Sequence, residues 1–181
     1  MITTRNSSDV DQRAPAVERA PTRVAPYVWA VARISLGWVF LWAFLDKTFG
    51  LGYATPAERA WIDGGSPTGG FLGGVEGPFA DFFQGLAGNA FIDWLFMLGL
   101  LGIGLAFILG IGMRIAAASA VVLLILMWMA VLPIVNNPFL DDHLVYAILA
   151  VGLAAANAGD TWGFGKAWAA TDLVTRYPVL R

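Results

Sequence analysis

The sequence predicts an all-α fold: a polytopic membrane protein whose four transmembrane helices form a bundle under an interfacial cap on the outer side. Three observations predict it. Hydrophobic residues make up 58% of the chain and charged residues 13%, with a mean hydropathy of +0.68, whereas roughly a quarter of a soluble domain is charged. The apolar residues concentrate in four windows, 27–45, 94–113, 115–135 and 144–158. The basic residues gather on one side of those windows.

A bilayer core of about 30 Å needs about 20 apolar residues per helix, and lipid leaves the backbone no partner but itself. The windows therefore predict helical spans at about 27–47, 91–113, 114–135 and 140–158, within a membrane unit of 26–158. The first window, 27–45, is interrupted only by Arg33; the second and third windows contain no charge. Pro133 lies where the third helix is about to stop. The fourth window covers only about 22 Å at about 1.5 Å per residue. With Gly159 expected to end that helix, its other end has to supply the missing length, which draws His143 and Asp142 into the headgroup layer.

The flanks follow from composition. Residues 1–25 are polar and proline-punctuated ("RAPAVERAPTRVAP") with no apolar core, so a disordered cytoplasmic tail is expected rather than a cleavable signal peptide. The first span then serves as an uncleaved signal anchor. Residues 159–181 are expected to be a cytoplasmic interfacial tail, in which "KAWAATDLVTRY" is read either as an interfacial amphipathic helix or as a solvated extension. Residues 50–89 contain "WIDGGSPTGGFLGG" and "PFADFFQGLAG". The glycine run lacks the lysine of a phosphate-binding loop and follows no strand. With Phe79, Phe82 and Phe83 sinking into the interface, this segment reads as a cap over the mouth of the bundle, either a lid or a passive loop.

Orientation comes from the bases. Arg5, Arg13, Arg19, Arg23, Arg114, Lys166, Arg176 and Arg181 fall on one side, and only Lys47 and Arg59 on the other. The positive-inside rule puts both termini in the cytoplasm. The outer side collects Asp46, Glu58, Asp63, Glu76, Asp81, Asp93, Asp141 and Asp142, an anionic surface. Small residues recur every fourth position, as Gly102, Ala106 and Gly110 and as Ala150, Ala154 and Ala158, and predict close helix packing.

The absence of cysteine excludes disulfides, cysteine-ligated iron–sulfur clusters, covalently attached c-type haem and thiol redox pairs. A single histidine excludes bis-histidine haem within the chain. Redox chemistry would need a diffusible cofactor or a partner's centre. No metal site and no nucleic-acid partner are expected.

His143 shares a helical face with Ala147, Ala150 and Ala154 and so points into the bundle. An ionisable group there is a functional candidate; the alternative is a hydrogen bond to a neighbouring helix. Lys47, with Asp46, sits at a comparable depth and gains interest if it faces His143. Arg33 is expected to snorkel to the inner headgroups. Trp42, Phe44 and Tyr146, with Trp38, Phe40, Phe96 and Trp128, offer aromatic walls. Such walls with a few polar groups suit a flat apolar ligand, and a quinone head would accept hydrogen bonds from His143 or Lys47. Aromatic belt and core packing is the competing reading.

Three stretches, "RISLGWVFLWAFLDKTFG", "GLAFILGIGMRIAA" and "NNPFLDDHLVYAILA", together resemble the DoxX/DoxD family of small four-helix bacterial membrane proteins. "WIDGGSPTGGFL" resembles its DoxD-like branch, and the likeness spans about residues 32–168. The resemblance implies the membrane subunit of a thiosulfate:quinone oxidoreductase in a bacterial plasma membrane, working with a second subunit. The cofactor would be diffusible menaquinone or ubiquinone. Arg33, Lys47, Arg114 and His143 match the family pattern. Catalytic roles are then expected for His143 and Lys47, and quinone contacts for Trp42, Phe44, Tyr146, Asp142 and Arg33. Asp142 would favour the imidazolium form of His143. The other class of function is a non-catalytic accessory or assembly subunit of a larger membrane (respiratory) complex.

Overall fold

The computed structural model describes residues 24–181, and among the described residues there are eight α-helices. They are α1 (Ala25–Phe49), α2 (Gly69–Gly73), α3 (Ala80–Gln84), α4 (Ala90–Leu109), α5 (Met113–Ala130), α6 (Asp142–Ala155), α7 (Gly165–Ala169) and α8 (Asp172–Arg176). No strand occurs among the described residues. Residues 1–23 of the predicted tail, with Arg5, Arg13, Arg19 and Arg23, lie outside the described residues; Ala25 is already helical.

By length and composition α1, α4 and α5 are each long and apolar enough to cross a membrane, as the helices of a membrane protein must be. Their ends follow local chemistry. α1 stops where Gly50 turns left-handed (φ 60°) and its N–H returns to the Asp46 carbonyl. α4 opens on Asn89, whose side chain accepts from the amides of Phe91 and Ile92. α5 ends at Ala130, short of the expected 135, because Pro133 lacks an N–H and drives the residue before it out of the helical region.

α6 has 14 residues, about 21 Å. Asp141 caps it by accepting from the Leu144 amide, so the helix does not lengthen beyond Asp142 to make up the expected deficit. At its other end the left-handed stop is Asn157 (φ 49°), not Gly159. Asparagine tolerates that conformation, which frees Gly159 for a packing role.

α1 packs chiefly on α4 and α5 on α6, with α4–α5 and α1–α6 contacts closing the arrangement. Leu36, Phe40, Met97, Phe107, Ala120 and Leu153 belong to one shared core. Where α1 crosses α4, a Cβ on Gly104 would stand 2.8 Å from the Leu41 amide nitrogen, and one on Gly37 would stand 2.9 Å from that of Ile108. The close approach therefore uses Gly37 and Gly104. Of the predicted seam, Gly102 faces open space, whereas Gly110 meets the Gly159 backbone, its Cβ position 2.8 Å from the Gly159 Cα. The alanines of α6 do turn inward: Ala147 and Ala150 are buried with Ala116, Ala117 and Ala120 of α5.

Two of the three phenylalanines expected at the interface fold inward instead. Phe83 is buried with Leu72, Val75 and Ala130, and Phe79 packs against that second core; Phe82 alone remains exposed. The end of α5 thus gives these rings a protein surface to cover. The tail is not one amphipathic helix. It breaks into α7 and α8 at Thr171, whose hydroxyl caps α8 through the Val174 amide, and Val174 is buried.

Candidate functional site

Charged side chains organise both ends of the molecule. At one end Arg33 is 0% exposed. Its Nε donates to the Ala158 carbonyl at 3.1 Å, Nη1 to Phe107 and, at 2.7 Å, to Ile108, and Nη2 to Thr161 at 3.3 Å and Trp162 at 2.9 Å. A helix leaves its last four carbonyls without internal partners, and lipid cannot satisfy them. Every one is answered at the end of α4. Ala106 accepts from Gly110 and Ile111, Phe107 and Ile108 accept from Arg33, and Leu109 accepts from the Phe164 amide. The guanidinium also lies at the negative pole of the α4 dipole.

This socket depends on glycine. A Cβ on Gly159 would stand 2.3 Å from the Gly110 carbonyl oxygen, and one on Gly163 would stand 3.1 Å from Arg33 Nη2. The expected snorkelling of Arg33 toward headgroups does not occur. A five-donor guanidinium finds more acceptors in these convergent chain ends than a single path to water would offer.

The opposite end carries His143. Asp141 lies in extended conformation before α6 and uses both carboxylate oxygens: Oδ1 accepts from the Leu144 amide at 3.2 Å, and Oδ2 stands 2.6 Å from His143 Nδ1. These side chains are 17% and 11% exposed, histidine first. Asp142, the predicted partner, is 3.7 Å away and 69% exposed. The capping geometry turns the Asp141 carboxylate back over the first turn, so it and not Asp142 holds the ring. With Nδ1 engaged by a carboxylate, Nε2 is left to exchange a proton or accept a hydrogen bond. Asp141, Asp142 and His143 place ligand atoms within 4.8 Å of one another, yet both oxygens of Asp141 are already spent, so the trio reads as a capped, oriented histidine.

Asp46 and Lys47 sit at this same end. Asp46 is 2% exposed and accepts from the Tyr53 and Ala54 amides at 3.2 and 3.0 Å. Lys47 is half-buried and makes no hydrogen bond or ion pair among the described residues, to His143 or any other group. The aromatic wall divides. Phe44 and Tyr146 pack on the main core, whereas Trp42 stacks at the surface, 5.8 Å from Trp38 and edge-on to Tyr53 at 5.1 Å.

The glycine-rich segment is held, not loose. Asp93 of α4, 6% exposed, takes hydrogen bonds on one carboxylate oxygen from Ser66 Oγ (3.0 Å), Thr68 N (3.0 Å) and Thr68 Oγ1 (2.6 Å). Trp61 meets Trp94 edge-on with centroids 4.6 Å apart. Gly65 lies so close under the Arg59 carbonyl that a Cβ would reach 2.2 Å. The glycines give a tight fit and the carboxylate pins it.

The structure thus groups His143 with Asp141, places Lys47 at the same end, and separates Arg33 to the far end. Sequence reasoning missed Asp141, Asp93 and Asp46 as structural acceptors. The cap signature of aspartate just before an apolar helical run was available for Asp141; nothing local marked the other two. Comparisons with protein-family models, curated proteins and solved structures give no match.

Proposed function

We propose that this chain is the membrane subunit of a quinone-linked oxidoreductase of the thiosulfate:quinone type, resembling the DoxX/DoxD family. In this reading α6 is the fourth span of a transmembrane bundle, both termini are cytoplasmic, and the segment 50–89 caps the outer mouth. The observation that carries it is the Asp141–His143 pair, 2.6 Å apart and largely buried at one end of a membrane protein. An imidazole fixed by a carboxylate on one nitrogen presents the other in a defined direction, as proton transfer to a reduced quinone oxygen requires. Lys47, which makes no hydrogen bond or ion pair among the described residues, adds a positive charge at the same end, suited to attract an anionic donor or a quinone oxygen.

The reaction balances without a resident redox centre in this chain. Two thiosulfate dianions lose one electron each and join through a new sulfur–sulfur bond as tetrathionate, while the quinone takes up those two electrons and two protons. His143 delivers protons through Nε2 and Asp141 positions it; a second subunit supplies the donor site. The test is thiosulfate-dependent quinone reduction in membranes carrying the chain and its partner. His143→Ala should abolish turnover with normal protein levels, and undiminished turnover in that variant would remove the role assigned to it.

The alternative is the other class of function, a non-catalytic accessory subunit of a larger membrane complex. Co-purification with respiratory subunits, with no activity in any donor assay, would establish that reading.

A further inference from the structure

The groove between α4 and α5 has a shape that identifies an occupant. It runs from Leu98 to Leu109 along α4, about 16 Å at about 1.5 Å per residue, or half of a bilayer core of roughly 30 Å. Its floor includes Gly99 and Gly102, where nothing lies within 4 Å of a Cβ position. Beyond Leu98 the same helix bears the exposed bulk of Leu95, Trp94 and Phe91, so the channel does not continue through the other leaflet. A partner helix would need a seam along its whole length, whereas one acyl chain needs only a half-membrane channel.

The closed end supplies the headgroup chemistry. Trp168 and Leu180 line the groove there, tied together by a 2.6 Å bond from the indole nitrogen to the Leu180 carbonyl. The exposed Arg114 stands one residue from the groove-lining Ile115. Its amide donates to the terminal Arg181 oxygen at 2.9 Å and its guanidinium to the Pro178 carbonyl at 3.0 Å, and no aspartate or glutamate side chain pairs with it among the described residues. Arg181, by contrast, is paired with Asp160 at 3.2 Å.

We propose that this groove binds one acyl chain of an anionic phospholipid from the leaflet on the Arg114 side, with the phosphate against Arg114. The proposal is independent of the redox reading.

The test is native mass spectrometry of the full chain in mild detergent, titrated with phosphatidylglycerol or phosphatidylcholine of identical acyl chains. Wild type should retain one phosphatidylglycerol at about fivefold lower lipid concentration than phosphatidylcholine, the equivalent of about 1 kcal/mol for one basic residue at the surface. Arg114→Gln should abolish that preference. Gly102→Leu, which fills the channel, should weaken retention of both lipids, and Ser119→Leu replaces it if folding fails. Equal binding of the two lipids by wild type would overturn the proposal. So would unchanged phosphatidylglycerol retention in a folded channel-filling variant, or a dimer that Gly102→Leu dissolves, since a second copy would then occupy the groove.

Discussion

Replacing Arg33 by methionine should destabilise the folded protein severely, although the substitution swaps one long side chain for another in an apolar helix. Five bonds to main-chain carbonyls disappear. A hydrogen bond from a charged donor contributes about 1.5–3 kcal/mol, and an acceptor stranded in a buried site costs a comparable amount. The five act as one unit on one side chain, so they do not sum. The relevant scale is that of removing one member of a buried charged network, about 3–5 kcal/mol. Lysine keeps the charge but brings three donors on a point-like head, so Arg33→Lys should recover part of that loss. Denaturation by SDS titration, followed by near-ultraviolet circular dichroism, measures both against wild type. A methionine variant within about 1 kcal/mol of wild type would refute the reasoning, because the bonds would then only balance the desolvation of the guanidinium.

Three further outcomes follow from the same contacts. Gly104→Ala should be destabilising because its Cβ meets the Leu41 backbone, whereas Gly102→Ala should be neutral or stabilising by up to about 1 kcal/mol from helix propensity; paired thermal denaturation in detergent separates them. Asp93→Ala removes the acceptor of three hydrogen bonds and should cost about 1–3 kcal/mol, with hydrogen exchange and proteolysis rising at residues 64–70. The lone histidine gives a single-site nitrogen-15 spectrum. Asp141→Asn should move the Nδ1 resonance while still capping α6, and Asp142→Asn should leave it in place. A shift of equal size in the Asp142 variant would return the orienting role to Asp142.

What the sequence made legible is what short stretches decide. Apolar length marks a spanning helix without reference to any other part of the chain, and α1, α4 and α5 follow their windows to within a few residues. Arg33 was out of reach because its acceptors lie 74 to 129 residues away along the chain. Alone on an apolar helix it suggests a path to headgroups; only the meeting of three chain segments makes an internal socket preferable. Asp93 is the same case at shorter range, with partners 25 and 27 residues distant. The small-residue pattern at Gly102, Ala106 and Gly110 located a smooth helix face but not what faces it. Gly102 and Ala106 line a groove, Gly110 meets the Gly159 backbone, and the glycines that let α1 and α4 approach are Gly37 and Gly104. For the His143 region, sequence found the residue and its end of the molecule, while the capping turn chose its carboxylate.

The central claim is that the end of the molecule holding His143 and Lys47 binds a quinone. Its most direct test is quinone content. The protein is purified in mild detergent, its lipids are extracted, and quinone is quantified by mass spectrometry beside His143→Ala and Lys47→Ala. The account predicts near-stoichiometric quinone in wild type, lost in both variants while the protein remains folded. Quinone no higher than in the bulk lipid, with added quinone also failing to bind, would contradict it.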